Sequence, residues 1–298
     1  MNLDAAVNIP RSVVESTVFL HSDIPEGHPS VAVLGEERSG TGVVVAPDKV
    51  LTAHYLVLGA ERVELATADG KPRTVERIAL DHDVGLALLS VDGPAMRPVR
   101  LGRAAGVLPG LPVFLISYAG PDERKGATGH VSSVGPFEAY WEFMLDRAIM
   151  TTAINPGLSG APLFDGDASL LGVVSLGLAN VGRYSLAIPI DLYVDRRVAM
   201  EQGQESRPPR AWLGFYTQGQ SGGIVVAGVV PGGPADKAGI ERGDLLLSVD
   251  GQAVSTLREL YDRIWKRTPG EPVGLQVLRD SSIRVVEVAA EDRYDFYK

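Results

Sequence analysis

Short apolar runs separated by turn residues occupy the first two thirds of the chain. β-Branched and aliphatic residues cluster at 31–34, 42–45 and 63–65, and Ala46-Pro47-Asp48 interrupts one run before it resumes at 50–52. Runs at 73–78, 85–89, 112–116, 130–134, 149–153 and 170–175 predict further strands. Few helical periods intervene, so the spacing predicts a mainly β fold, a barrel or a sandwich. The first helical pattern covers residues 189–200.

After that helix the character changes. Residues 201–210 are polar, contain glycine and proline and lack an apolar period, which marks a linker. Beyond it, helix and strand signals mix. Pro234 suits a first helical turn and Gly239 a left-handed stop. Leu257, Leu260, Tyr261 and Ile264 recur at helical spacing behind a Ser255 or Thr256 cap. Asp250-Gly251 signals a tight turn between strands. The expected division is an N-terminal arm (1–30), a β domain (31–200), the linker (201–210), an α+β domain (211–292) and a C-terminal tail (293–298).

Composition narrows the function. A chain of 298 residues has room for about two domains, each with its own core. Its 37 acidic and 28 basic side chains leave a formal charge of −9, and no basic run of five or more occurs. No nucleic-acid partner is therefore expected. The absence of cysteine excludes disulfide frameworks and cysteine-ligated metal sites. The five histidines show no ligand spacing, so no metal and no other cofactor is expected. The longest uncharged span, 104–121, is broken by Pro109, Pro112 and Pro121 and predicts no membrane helix. The first residues lack a basic stretch followed by an apolar one, and the expected location is the cytoplasm.

Residues 152–163 carry the most explicit chemistry. Ser159 sits between Gly157-Leu158 and Gly160. A tight turn there would expose its hydroxyl and align the N–H groups of Gly157 and Ser159 as a donor pair for an oxyanion. An ordinary Gly/Ser connection between strands would have the same composition.

The run Ile154-Asn155-Pro156-Gly157-Leu158-Ser159-Gly160-Ala161-Pro162-Leu163 resembles the nucleophile loop of HtrA-type serine proteases. That family joins a trypsin-like double β-barrel to an α+β PDZ domain. Residues 39–45 resemble its opening strand, 128–132 the start of its second barrel and 184–189 its last strand, beside the specificity pocket. Residues 230–251 resemble the PDZ signature nearly throughout. The resemblance implies that Trp212, Leu213, Gly214 and Phe215 form a loop whose backbone N–H groups hold a peptide's terminal carboxylate. The next strand would pair with the peptide. Leu257 and Tyr261, one helical turn apart, would wall a side-chain pocket, or else belong to the core of their helix. The implied partners are peptide C-termini or extended protein segments, and a homo-oligomer, often a trimer.

The departures from the family pattern bear on activity. A gap-free register puts Tyr55 at the family's histidine position and His54 one residue early. It puts Gly85 at the aspartate position, directly before Leu86-Ala87-Leu88-Leu89, with Asp83 two residues upstream. Acyl transfer by a serine needs an adjacent base, and the base needs an orienting acid. Tyrosine, with an ordinary pKa near 10, is a poor base at neutral pH. The expectation is a pseudoprotease, inactive or strongly impaired, that binds peptides through its PDZ domain. The alternative is an active endopeptidase whose triad is rearranged around His54 and Ser159. A chaperone-like holdase is a third possibility.

Overall fold

The computed structural model describes residues 9–67, 71–178, 183–203, 208–220 and 223–298. Contacts divide it into two units, Met1–Pro136 with Asp146–Ser206, and Phe137–Leu145 with Arg207–Lys298. The middle of the expected linker, residues 204–207, lies outside the described residues.

The first unit opens with helix α1 (Arg11–Glu15) and strand β1 (Thr17–Asp23). After the short α2 (Val31–Leu34) come β2 (Glu37–Ala46), β3 (Lys49–Ala53), β4 (Arg62–Ala66), β5 (Pro72–Asp81) and β6 (Leu86–Val91). These six strands close into a barrel in the order β1-β2-β3-β6-β5-β4. Val18, Leu20, Val44, Val50, Leu65 and Leu89 fill it. The β2–β3 hairpin turns at Pro47-Asp48, where proline cannot donate to a ladder.

The second barrel uses β7 (Arg100–Leu101), β8 (Pro112–Gly120), β9 (Glu123–Ala139), β10 (Phe143–Thr151), β11 (Pro162–Asp165), β12 (Ser169–Gly177) and β13 (Ser185–Pro189). Their order is β11-β8-β9-β10-β13-β12-β7, and a β11–β12 pairing closes the sheet around Leu115, Ile149, Leu163, Leu171 and Val174. Helix α3 (Ile190–Gln202) follows and stops at Gly203, whose φ of 69° supplies the left-handed cap.

Two expectations fail here. Residues 31–34 form a single helical turn rather than a strand, with Val33 58% exposed. Four apolar residues with no face to bury have no sheet to join, and the β-branched composition alone does not make one. The first barrel strand is instead β1, inside the segment expected to be an arm, and its Val18 and Leu20 are fully buried.

The second unit contains β14 (Ala211–Trp212), β15 (Phe215–Gln220), β16 (Gly223–Val229), α4 (Pro234–Lys237), β17 (Leu245–Val249), β18 (Gln252–Ala253), α5 (Leu257–Ile264), β19 (Pro272–Arg279), β20 (Ser282–Ala289), β21 (Glu291–Asp292) and α6 (Arg293–Phe296). The main sheet runs β15-β16-β17-β19-β20, with β14 paired to β21 apart from it. Local chemistry explains its punctuation. Asp250 and Gly251, at φ 48° and 75°, make the turn from β17 to β18. Thr256 and Glu259 form a reciprocal capping box at the start of α5. The core gathers Leu213, Phe215, Val226, Leu246, Leu260, Tyr261 and Ile264. The expected tail is part of this packing, because the Trp212 ring lies 4.7 Å from Phe296 and 5.6 Å from Tyr297. No helix among the described residues is long and apolar enough to cross a membrane.

Candidate active site and carboxylate-binding loop

Ser159 is held by a dense set of backbone bonds. Its carbonyl accepts from the Thr41 N–H at 2.8 Å, and the Leu158 N–H donates to the Tyr118 carbonyl at 2.7 Å. The Thr41 hydroxyl donates to the Leu158 carbonyl at 3.2 Å and accepts from the Tyr118 N–H at 3.0 Å. Gly160, at φ 86°, is required because a Cβ there would overlap the Thr41 carbonyl oxygen. The loop is thereby fixed between strands of the two barrels.

The short 3-10 turn His54–Leu56 carries Tyr55 to the same place. The Tyr55 hydroxyl donates to the Ser175 carbonyl at 2.7 Å and lies beside Ser159. Burial pushes the phenol up to about 12, only partly offset by the neighbouring Ser159 side chain. The His54 ring packs edge-on against His82, 5.5 Å away, and against Tyr55 at 6.0 Å. The His54 N–H donates to the Gly85 carbonyl at 3.0 Å.

Gly85, at φ 76°, ends a turn that starts at Asp81, and its N–H donates to the Asp81 carbonyl at 2.9 Å. Asp81 also accepts from the N–H groups of Asp83 and Val84 through Oδ1. Its Oδ2 lies 3.1 Å from Nε of Arg196 on α3, both side chains being almost fully buried. The motif's first carboxylate is therefore engaged in holding the turn and in an ion pair with the following helix.

The expected oxyanion donor pair is not displayed. The Gly157 N–H donates to Oδ1 of Asn155 at 3.2 Å, and Asn155 Nδ2 reaches the Leu158 carbonyl at 3.1 Å. Asn155 bridges its own loop because its amide carries both a donor and an acceptor. An N–H already given to a side chain is not offered to an oxyanion.

In the second unit, Trp212, Leu213, Gly214 and Phe215 connect β14 to β15. Gly214 takes φ 76°, and its carbonyl accepts from the Val230 N–H at 2.7 Å. The three N–H groups of Leu213, Gly214 and Phe215 converge on one carboxylate, that of Glu142. Gly214 and Phe215 donate to Oε1 at 2.7 and 3.2 Å, and Leu213 donates to Oε2 at 3.1 Å. Trp212 contributes its ring to the packing of α6 rather than an N–H to this set. Glu142 is 1% exposed. Burial pushes its carboxyl up from the ordinary range, against the pull of Arg293 and the three N–H groups.

Tyr261 lies beside this loop and is fully buried. Its hydroxyl donates to the Ala139 carbonyl at 2.6 Å, accepts from the Glu142 N–H at 3.3 Å and lies 3.1 Å from Thr217 Oγ1. Leu257 is half-buried against the domain core. Nothing in the local sequence marks Glu142, Thr217, Arg293 or Asn155, since each acts through partners distant along the chain or through loop geometry.

The sequence matches the trypsin-like peptidase domain family over residues 40–173 and the PDZ domain family over residues 211–289. Probable periplasmic serine endoproteases, DegP-like, from Halomonas elongata and Hahella chejuensis are 31% and 29% identical over 88% and 86% of this chain. The chain spans 58% of the length of each. The solved HtrA-type protease AlgW with tripeptide gives a TM-score of 0.58 at 25% identity, covering 95% of both chains. The serine endoprotease from Yersinia pestis gives 0.56 at 22% identity, covering 95% of this chain and 96% of that one. The periplasmic naming of the relatives overturns the cytoplasmic expectation. Compartment is set by export signals read by receptors, and the composition of folded domains does not report it. With two closed barrels, a PDZ unit and a serine loop in the expected order, the chain belongs to the HtrA-type family, a trypsin-like peptidase domain followed by a PDZ domain.

Proposed function

We propose that this chain is an HtrA-like pseudoprotease that binds peptide C-termini or extended protein segments through its PDZ domain. The carrying observation is the phenol of Tyr55 at Ser159, where a base is needed. With a pKa of about 12, roughly one such phenol in 10⁵ is ionised at pH 7. Loss of the base in serine proteases costs about 10⁶ in kcat. Gly85 brings no carboxylate to orient a replacement base, and the Gly157 N–H is engaged by Asn155. These features support the assignment of Tyr55 and Gly85 to the family's histidine and aspartate positions. The peptide-binding half is supported by three converging N–H groups around Gly214, and by AlgW chains solved with a tripeptide and with a decapeptide.

The test is cleavage of denatured casein by the native chain, Ser159→Ala and Tyr55→His combined with Gly85→Asp. Inactivity of the native chain with gain in the double variant supports the reading. Native cleavage that disappears in both Ser159→Ala and His54→Ala would overturn it in favour of a rearranged triad using His54.

A further inference from the structure

We propose that residues 139–142 are an internal ligand of the PDZ groove, with the Glu142 side chain standing in for a peptide's terminal carboxylate, so that external C-terminal peptides bind by displacing it. The proposal rests on the reading of this groove as a peptide site.

Two independent sets of bonds define the mimicry. At one end, the N–H groups of Leu213, Gly214 and Phe215 hold the Glu142 carboxylate, at 2.7 to 3.2 Å. At the other, the Thr217 N–H donates to the Tyr140 carbonyl at 2.7 Å. Thr217 lies two residues beyond Phe215, and Tyr140 lies two residues before Glu142. The segment therefore runs antiparallel to β15, with the residue spacing of a peptide added to the sheet edge by its last three residues. A stray surface glutamate would satisfy the first set and not the second.

The backbone at Glu142 explains how an internal residue does this. A true C-terminus ends where the carboxylate is bound, whereas this chain must leave and enter β10. Glu142 takes φ 52°, a left-handed conformation uncommon for a residue with a side chain, which turns the main chain away. Arg293 secures the turn by donating from Nη2 to the Glu142 carbonyl at 2.7 Å. Arg258 pairs with Glu138 at 2.9 Å on the incoming side. Burying a carboxylate is costly unless it is hydrogen-bonded, and the loop's three N–H groups offset part of that cost.

The consequence for binding is quantitative. A ligand tethered in the same chain occupies its site at high effective concentration, and an outside peptide sees an affinity reduced by the open fraction. Glu142→Gly is the informative variant, because glycine keeps the left-handed turn without strain and removes the side chain that carries the carboxylate. The probe is a fluorescein-labelled octapeptide with the sequence of residues 135–141 followed by a terminal alanine with a free carboxylate, beside its C-terminal amide, so that the amide carries no carboxylate at its last residue. Hydrogen exchange at the amides of Leu213, Gly214 and Phe215 is read in parallel on the intact chain.

The expected result is loss of protection at these three amides in Glu142→Gly, with the free-acid peptide binding at least tenfold more tightly than to the native chain and the amide binding weakly. Unchanged protection overturns the internal ligand, whatever the peptide does. Equal affinity of native chain and variant overturns displacement while leaving the peptide-site reading intact. Loss of protection with no peptide bound by either protein overturns the peptide-site reading, and displacement with it.

Discussion

The phenol of Tyr55 donates to the carbonyl of Ser175 at 2.7 Å and is at the same time the neighbour of Ser159. One side chain thus fills the space beside the serine and satisfies a backbone acceptor from β12. The arrangement is structurally useful and chemically unsuited to proton abstraction at neutral pH.

Tyr55→Phe is expected to leave Ser159 no more reactive toward a fluorophosphonate probe than in the native chain. It should cost about 1 kcal/mol of stability, the net worth of the lost hydrogen bond. Because the folded phenol is raised from 10 to about 12, its stabilising effect is present below pH 10 and is lost as pH climbs toward 12. Denaturation midpoints of native chain and variant should converge over that range.

Gly160→Ala adds a Cβ against the Thr41 carbonyl oxygen at a residue with φ 86°. Backbone strain of this kind costs about 1–3 kcal/mol and the overlap adds to it. A clear fall in thermal midpoint is expected, whereas Gly166→Ala, where nothing lies within 4 Å, should leave the midpoint nearly unchanged.

Arg196→Ala removes the cation that lies 3.1 Å from the Asp81 carboxylate in a buried pair. Removing one partner of such a pair typically costs about 3–5 kcal/mol. The companion Asp81→Asn, which keeps the volume, also loses the ion pair. Chemical denaturation of both variants and the double variant should show strong non-additivity.

Asp244 pairs with Arg279 at 2.6 Å, and hydrogen bonds from Arg279 and the Glu241 N–H hold its carboxyl below the ordinary range against the opposing effect of burial. The depressed pKa means that Asp244 stabilises the PDZ domain above its unfolded value of 3.8 and ceases to do so as pH falls through the folded value. Asp244→Asn should therefore be less stable than the native chain at pH 7 and indistinguishable from it at strongly acidic pH.

Local signals made much of the fold legible. The capping box of α5 spans four residues, the Asp250-Gly251 turn two, and the left-handed stop after α4 is one glycine, Gly239. Each depends on neighbours in the chain, so composition and spacing suffice to expose it. The β-branched run at 31–34 misled because strand formation needs a sheet edge to join, which no local pattern reports.

By itself, the sequence determined the order of two β-rich barrels and a PDZ domain, the serine between glycines and the doubtful residues at 55 and 85. Tertiary structure decided what those residues touch. Tyr55 meets a carbonyl 120 positions away, the Gly157 N–H turns to Asn155, and Glu142 fills a loop 71 residues further on. The reason is physical: periodicity and capping are properties of neighbouring residues, whereas the occupancy of an N–H group depends on which acceptor the folded chain brings within 3 Å.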